Sequence, residues 1–360
     1  MSKRPTDIPE VEISRQELVG LLAELCPEHR IDLAGAVALP SVQPHRKRWH
    51  EWLAADRHAD LEYVTRDPAA REDPTQKNPW ARSVLIFGQR YTDGWSADED
   101  VLLRDVPWTD RVARYARGHD YHDVLLKDIK RVAMGLIAAI PGFAAFSSTD
   151  TGPYLEREYA WLAGLGFMGK NTCLIHEKLG SGLFLGVALT NLRVVGLPPG
   201  NEPQAEPLYA IVPRRRRTPT RILANHCGSC TACLDACPTD ALLPTGGLDA
   251  RSCISTWTIE WRGMAPDDRR AEQGGLLFGC DICQSVCPWN QRAAERDTPL
   301  PVREQYGVLP THGELKLADL AVLNDDDFRT RFRRTPLWRA HPEGLRRNAE
   351  VVLENLADQE

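Results

Sequence analysis

Cysteine spacing constrains this chain more than any other feature. The stretch "HCGSCTACLDACPTDALL" (226–243) reads Cys227-x2-Cys230-x2-Cys233-x3-Cys237, closed by Pro238. A second group, Cys280-x2-Cys283-x3-Cys287 before Pro288, follows downstream, with Cys253 between the two. Of the 10 cysteines in the chain, Cys26 and Cys173 alone lie outside this region. Both are expected to be small buried hydrophobes. A disulfide framework suits small secreted scaffolds, and this chain has 360 residues. Its start, "MSKRPTDIPEVEISRQ", has no apolar h-region, and no stretch approaches about eighteen uncharged apolar residues. A cytoplasmic protein with no membrane span is expected, where clustered cysteines bind metal or carry electrons.

Structural zinc draws four ligands, usually from separated CxxC pairs. Three cysteines at x2 spacing with a fourth before proline fit a cubane better. Such a run wraps one [4Fe–4S] cluster and sends its fourth ligand to another, as in bacterial two-cluster ferredoxins. Crossing the fourth ligands puts one cluster on Cys227, Cys230, Cys233 and Cys287. The other falls on Cys237, Cys253, Cys280 and Cys283. Zinc stays as the alternative.

A ferredoxin-like unit of this size seldom works alone, so the preceding 200 or so residues are expected to hold the electron acceptor. Residues 14–33 read as a helix with Ser14 and Glu17 forming a capping box. "SVLIFGQRY" (83–91) reads as a buried strand, and Leu125, Ile129, Val132, Leu136 and Ile140 recur at helical spacing before Pro141-Gly142. "FAAFSST" (143–149) and "GLFLGVALTNLRVV" (182–195) supply further strands, so an α/β sandwich is expected. Residues 196–225 read as a linker or extended arm, and the chain from 310 onward as helical.

"GLGFMGK" holds Gly164-x-Gly166-x-x-Gly169, the dinucleotide fingerprint, which requires a strand before it and a helix after it. Here the preceding "GPYLEREYAWLA" reads as a helix starting at Pro153. A Rossmann site is therefore not expected, and the glycines are expected to admit some other large ligand.

The formal charge of −6 argues mildly against a nucleic-acid partner. Local patches argue otherwise. Arg214 to Arg217, and the segment 328–348 with Arg333, Arg334, Arg346 and Arg347, are basic enough to hold phosphates; solvated faces are the bland reading.

Together, "RYARGHDYH" (114–122), "TDTGPYLERE" (149–158), "GFMGKN" (166–171), "ARSCISTWTIEWRG" and "FGCDICQSVCPWN" resemble the epoxyqueuosine reductase family, in unbroken order over roughly residues 15 to 350. The resemblance implies an α/β (α+β) nitroreductase-like cobalamin-binding sandwich over 1–212. A ferredoxin-like domain with two [4Fe–4S] clusters over 213–292 and a short α-helical tail over 293–360 would follow. It implies reduction of the epoxide of epoxyqueuosine at the tRNA wobble position to the alkene of queuosine, through cobalamin fed by the clusters. The implied partners are that tRNA and a flavodoxin- or ferredoxin-type electron donor, for a monomer with no membrane contact.

By the same resemblance Asp150 is the catalytic acid. At the entrance of a helix starting at Pro153, the dipole favours its charged form. Burial against a corrin favours the neutral one, and the role requires burial to win. Arg71, Tyr121, His122 and Asp150 are the implied cobalamin contacts. Lys170 and Asn171 follow the glycine turn, where corrin amides or phosphate would be held. Ser255 and Asp281 adjoin cluster cysteines, and Arg157 is expected to meet the tRNA backbone. Two other classes fit less well: a reductive dehalogenase, which usually carries an export signal, and a simple electron carrier, which has no use for the N-terminal domain.

Overall fold

A computed structural model describes residues 8–41, 46–95, 106–212, 226–263, 267–295 and 300–358. Arg214 to Arg217 lie outside the described residues.

The capping box forms as the sequence predicts. Glu17 N donates to Ser14 Oγ at 3.1 Å while Ser14 N donates back to the Glu17 carboxylate, opening α1 (Arg15–Glu28). This helix follows β1 (Val11–Ser14) and ends earlier than its sequence pattern predicts. Ile31 is already turning into β2 (Leu33–Ala38). Three short helices follow, α2 (Arg46–Ala54), α3 (Glu62–Thr65) and α4 (Pro68–Glu72), before β3 (Ser83–Arg90). Then come α5 (Tyr121–Ala139), β4 (Ala145–Ser148), α6 (Glu156–Leu162), β5 (Phe167–Met168) and β6 (Leu174–Ile175). The strands β7 (Leu183–Thr190), β8 (Leu192–Val195) and β9 (Tyr209–Ala210) complete the N-terminal half.

Five strands form one sheet in the order β4-β7-β3-β2-β9, and every pairing in it is antiparallel. The alternation of helix and strand suggests α/β order from sequence, but among the described strands only β1 and β8 pair in parallel. The architecture is α+β. The segment read as a linker contributes Tyr209–Ala210 to the sheet edge.

Period-two alternation along these strands divides the apolar residues between two cores. Leu85 and Phe87 of β3, Ala34 and Ala36 of β2, and Phe184 and Ala188 of β7 face α1 and α5. Val84 and Ile86, Leu33 and Val37, and Val187 and Leu189 face α6 on the other side. The close approach of α5 explains Gly186, where a Cβ would lie 2.4 Å from Ile129 Cδ1.

The cysteine region is stitched to this sheet rather than tethered beside it. Leu277 N donates to Arg111 O and Ala113 N to Phe278 O, both at 2.8 Å. Residues 300–306 also return to the sheet. Arg90, 1% exposed along its side chain, pairs with Asp32 and donates to the Leu300 and Pro301 carbonyls. Arg303 pairs with buried Asp128, and Tyr306 donates to Gln89. The chain ends in helices Asp325–Phe332 and His341–Ala357, packed with Trp108, Leu277 and Phe278 into a third core. Among the described residues no helix is long and apolar enough to cross a membrane.

Ile129 is fully buried between α5 and the sheet. Ile129→Ala is expected to cost about 2–5 kcal/mol of unfolding free energy, measured by anaerobic denaturant titration, because the packed neighbours cannot fill the void.

Candidate active site and cluster cradle

The N-cap and first two residues of α5 build one side of the site. Asp120 caps α5: its Oδ1 accepts from His122 N at 2.9 Å and contacts His122 Nδ1 at 2.7 Å. This fixes the imidazole and turns Nε2 toward Asp150, 3.8 Å from its Oδ2. Tyr121 OH donates to the same Oδ2 at 2.7 Å. The Tyr121 ring is sandwiched, with centroids 4.1 Å from His122 and 4.3 Å from Phe184.

Asp150 itself sits in the bend between β4 and α6, with φ 50° in the left-handed region. Asp tolerates that region better than most residues, at a cost of order 1 kcal/mol. The helix after it starts at Glu156, not Pro153, and its N-cap is Leu155. Asp150 is therefore neither a cap nor at the positive end of a dipole. Its side chain is 64% exposed, so the burial that the sequence reading asked of it is not provided by the protein alone.

Burial sets the protonation of its neighbours. Tyr121 is held well above the ordinary tyrosine range by burial and by the Asp150 charge, so it remains a donor. Burial alone would lower His122, but the hydrogen bond and charge of Asp120, with Asp150 and Asp123, outweigh it and raise the imidazole. Glu156 is pushed up to about 8 by burial and by Asp150, against Arg71 and Arg157. Sequence reasoning missed both Asp120 and Glu156. Glu156 Oε1 and Thr149 Oγ1 are buried without a hydrogen-bond partner among the described residues. Thr149 Oγ1 faces Gly186 and Ile129 inside the fold, whereas Glu156 lies in the field of Asp150; leaving either atom unpaired costs about 1–3 kcal/mol.

The other predicted contacts separate into two places. Arg71, at the end of α4, lies on the Asp150 side and donates to Tyr63 O at 2.7 Å. Arg157 is exposed on α6 and donates to Thr172 O. Lys170 and Asn171 lie instead against the cysteine loops. Lys170 Nζ donates to Gly228 O at 2.9 Å and Cys230 O at 2.8 Å, and its backbone N approaches Cys227 Sγ at 3.4 Å. Asn171 Nδ2 donates to Cys283 O at 3.1 Å. The glycines beside them serve packing, not a ligand: a Cβ on Gly164 would lie 2.8 Å from Gln204 O, and one on Gly166 2.5 Å from Ile175 O. Gly164 ends α6 in the left-handed region, and a β-hairpin follows where the dinucleotide fingerprint requires a helix.

The thiols fall into two neighbourhoods. Burial raises Cys233, and Cys227, Cys287 and Cys230 add to it. Burial likewise raises Cys280, with Cys253 and Cys237 nearby, and Cys253 neighbours Cys237 as well. Cys283 neighbours Cys280 and Cys253. Cys227, Cys230, Cys233 and Cys287 are thus electrostatic neighbours, as are Cys237, Cys253, Cys280 and Cys283, with Cys173 close to both sets. Binding iron as thiolates would release the protons that burial retains. Ser255 hydrogen-bonds Cys253 through backbone and hydroxyl. Asp281, raised by burial, accepts from Arg114 N at 2.7 Å. Cys26 is core, as expected, but Cys173 is not merely a small hydrophobe: it neighbours Cys283, Cys287 and Cys233.

Aromatic rings join the two places. Tyr91 donates to Gln284 Oε1 at 3.4 Å and packs 4.6 Å from Phe184, which stacks on Tyr121. A cavity of about 440 Å³ lined by Tyr91, Asp93, Leu300 and Arg303 contains none of the predicted site residues. Polar groups converge instead around Asp150, where Tyr121 and His122 both face its Oδ2.

Of the basic tail residues, Arg347 is buried and donates to the carbonyls of Trp257, Trp261 and Gly263. Burial, with Arg262 nearby, pulls it down to about 10. Arg346 is taken up by Leu323 O and Asp325. Arg347 is turned inward, so the expectation that it holds phosphates is corrected; Arg346 is half-buried and paired with Asp325, and Arg333 and Arg334 are exposed.

The family "Epoxyqueuosine reductase QueG, DUF1730" matches residues 71–151, which run from Arg71 past Asp150. A "4Fe-4S double cluster binding domain" matches residues 226–290. The epoxyqueuosine reductase of Gloeobacter violaceus is 36% identical over 90% of this chain and 91% of its own length. That of Pseudomonas aeruginosa is 34% identical over 86% of this chain and 78% of its own. A crystal structure of an epoxyqueuosine reductase with an epoxyqueuosine-modified tRNA stem loop superposes with a TM-score of 0.74 at 25% identity, covering 96% of this chain and 83% of that one. The Streptococcus thermophilus enzyme gives 0.71 at 25%, over 96% and 82%. With an acid cluster, an eight-thiol iron–sulfur region and likeness along nearly its whole length, this chain belongs to the epoxyqueuosine reductase family.

Proposed function

We propose that this chain reduces the epoxide of epoxyqueuosine, at the wobble position of tRNA, to the alkene of queuosine, using cobalamin and two [4Fe–4S] clusters. The observation that carries this reading is the Asp150–Tyr121–His122 cluster, joined by stacked rings to the cysteine loops. The tRNA partner is supported by the stem-loop complex of the structural relative. A Bacillus subtilis relative, described with its catalytic aspartate loop swung out of the active site, supports a loop-borne acid such as Asp150.

The sheet flanked by α1, α5 and α6 is read as a nitroreductase-like sandwich, with the three domains at 1–212, 213–292 and 293–360. Arg71, Tyr121, His122 and Asp150 would hold cobalamin, which supplies two electrons when bound. Glu156, in the field of Asp150 and without a hydrogen bond from Oε1 among the described residues, offers a polar atom to the same ligand. Cys227, Cys230, Cys233 and Cys287 would hold one cluster; Cys237, Cys253, Cys280 and Cys283 would hold the other. Ser255 and Asp281 would tune the second cluster, while Lys170 and Asn171 would brace both loops. Arg157 would meet the tRNA. The protein is read as a cytoplasmic monomer reduced by a flavodoxin- or ferredoxin-type donor.

Within this site Tyr121 holds Asp150 Oδ2 and orients the carboxyl. Asp150 gives its proton to the oxygen leaving the cyclopentane ring. Nucleoside analysis of tRNA from a strain lacking the gene is expected to find epoxyqueuosine in place of queuosine; unchanged queuosine overturns the reading.

Asp150→Asn is expected to retain iron and cobalamin yet lose about a hundred- to ten-thousand-fold in turnover, the usual loss for a general acid. Near-normal turnover would remove it from the mechanism. Cys253→Ala should halve a reconstituted content of about eight irons, read by iron and acid-labile sulfide assay, because two cubanes need eight thiolates. Loss of no iron would exclude the crossed assignment. Neutralising Arg333 and Arg334 together is expected to weaken tRNA binding and flatten its log–log salt slope by about 0.7–0.9 per lost phosphate contact, measured by filter binding at several salt concentrations.

A further inference from the structure

Reducing an epoxide to an alkene consumes two electrons and two protons, and the oxygen leaves as water. One carboxyl carries one proton per turnover. A second must reach the same oxygen, either from another group or through Asp150 after it has been recharged. This argument rests on the function proposed above.

Three groups face the Asp150 carboxyl closely enough to be weighed. Tyr121 OH is hydrogen-bonded to Oδ2, but burial and the Asp150 charge make its phenol a poor acid. Glu156 lies in the field of Asp150, with Arg71 and Arg157 around it, and makes no hydrogen bond from Oε1 among the described residues. His122 is aimed at Oδ2 from 3.8 Å, a gap that one water or a small rotation closes. Its other nitrogen is anchored at 2.7 Å to Asp120, which is itself fixed because the same Oδ1 caps α5. A carboxylate behind an imidazole that points at a reacting group selects one tautomer and stabilises the imidazolium, as in hydrolase triads.

We infer that Asp120 and His122 form a proton relay: His122 Nε2–H recharges Asp150 after its first transfer, and Asp120 is the positioning residue that keeps His122 oriented and charged. In each turnover Asp150 protonates the ring oxygen and becomes a carboxylate. The imidazolium gives Nε2–H to that carboxylate and becomes neutral. Asp150 then delivers the second proton, completing water. Solvent reprotonates His122 before the next cycle. Asp123 and Asp150 add to Asp120 in favouring the imidazolium, while Tyr121 covers one face of the ring.

The relay predicts a sign. Turnover requires His122 protonated at the start, so kcat falls as pH rises through the titration of His122, above the ordinary histidine value. Asp120→Asn keeps an N-cap of equal quality but removes the charge behind the ring. It should move the alkaline limb of kcat to lower pH by about one unit, which is roughly a tenfold loss on the alkaline side, with activity below pH 6 within about twofold. The holoenzyme is assayed on epoxyqueuosine-modified tRNA across pH. The His122 titration is read independently by C2-hydrogen exchange and mass spectrometry. Both should shift together. His122→Gln should lose the limb and regain part of the rate with added imidazole. A lowered melting temperature with an unmoved limb makes Asp120 a helix cap only and overturns the relay. A limb that ignores Asp120→Asn and vanishes in Glu156→Gln assigns the second proton to Glu156, and also overturns it. No conversion by the wild-type holoenzyme at any pH would instead sink the proposed function.

Discussion

The backbone seam between residues 111–114 and 277–281 is the interaction on which the rest of the arrangement depends. Leu277 and Phe278 exchange hydrogen bonds with Arg111 and Ala113, and Asp281 receives Arg114 N. A buried carboxylate carries a large desolvation cost unless it is hydrogen-bonded and faced by opposite charge. Asp281 has the Arg114 N–H and the fields of Arg117 and Arg114, but burial still outweighs them and raises its carboxyl, so the contact with Arg114 N cannot be given up cheaply. Shifting the seam by one residue would leave this charge without its donor. The cysteine loops are thus locked to the segment that leads directly into Tyr115, Asp120 and Tyr121.

Electron and proton chemistry are thereby brought to one block of aromatic rings. Phe278 packs on Tyr115, Tyr115 on Tyr121, and Tyr121 on Phe184. Burial in this block, with nearby carboxylates, raises the Tyr115 and Tyr121 phenols and keeps them neutral donors. Asp150 is exposed beside this block, and its strained backbone sits in a bend rather than in a helix. A loop-borne acid can move without disturbing the sheet. Residues 300–306 lock the sheet from behind, through Arg303 on Asp128 and Tyr306 on Gln89.

What was legible in the sequence was what is local. The capping box at Ser14, the α5 stripe and the cysteine spacing depend on neighbours a few residues away, so their periods survive in the chain. The Asp150 role came through resemblance, because nothing near "TDTG" marks it as an acid. Sheet order was not legible: helices between strands suggest parallel crossovers, but β3 and β7 pair antiparallel although far apart in the chain. Arg347 illustrates the same limit. In the sequence it is one arginine of a basic run; in the fold it closes off three carbonyls of the cysteine region. Lys170 and Asn171 sit beside glycines that imitate a nucleotide loop, and their partners lie more than fifty residues away.

Asp120 shows why such residues escape pattern reading even when the pattern is present. An aspartate immediately before a helix is fully explained by capping, and a sequence offers no reason to ask more of it. Its Oδ1 accepts from both the His122 backbone and the His122 ring, so one oxygen starts the helix and sets the imidazole. The two duties reinforce each other. Capping fixes the carboxylate relative to the backbone of residue 122, and a carboxylate so fixed can hold the ring only in an orientation that sends Nε2 toward Asp150. Any rotation of the Asp120 carboxylate that broke the ring contact would also weaken the cap, by about 0.5–2 kcal/mol. Helix stability thus holds the imidazole in place, and the proton-handling geometry follows from how α5 begins.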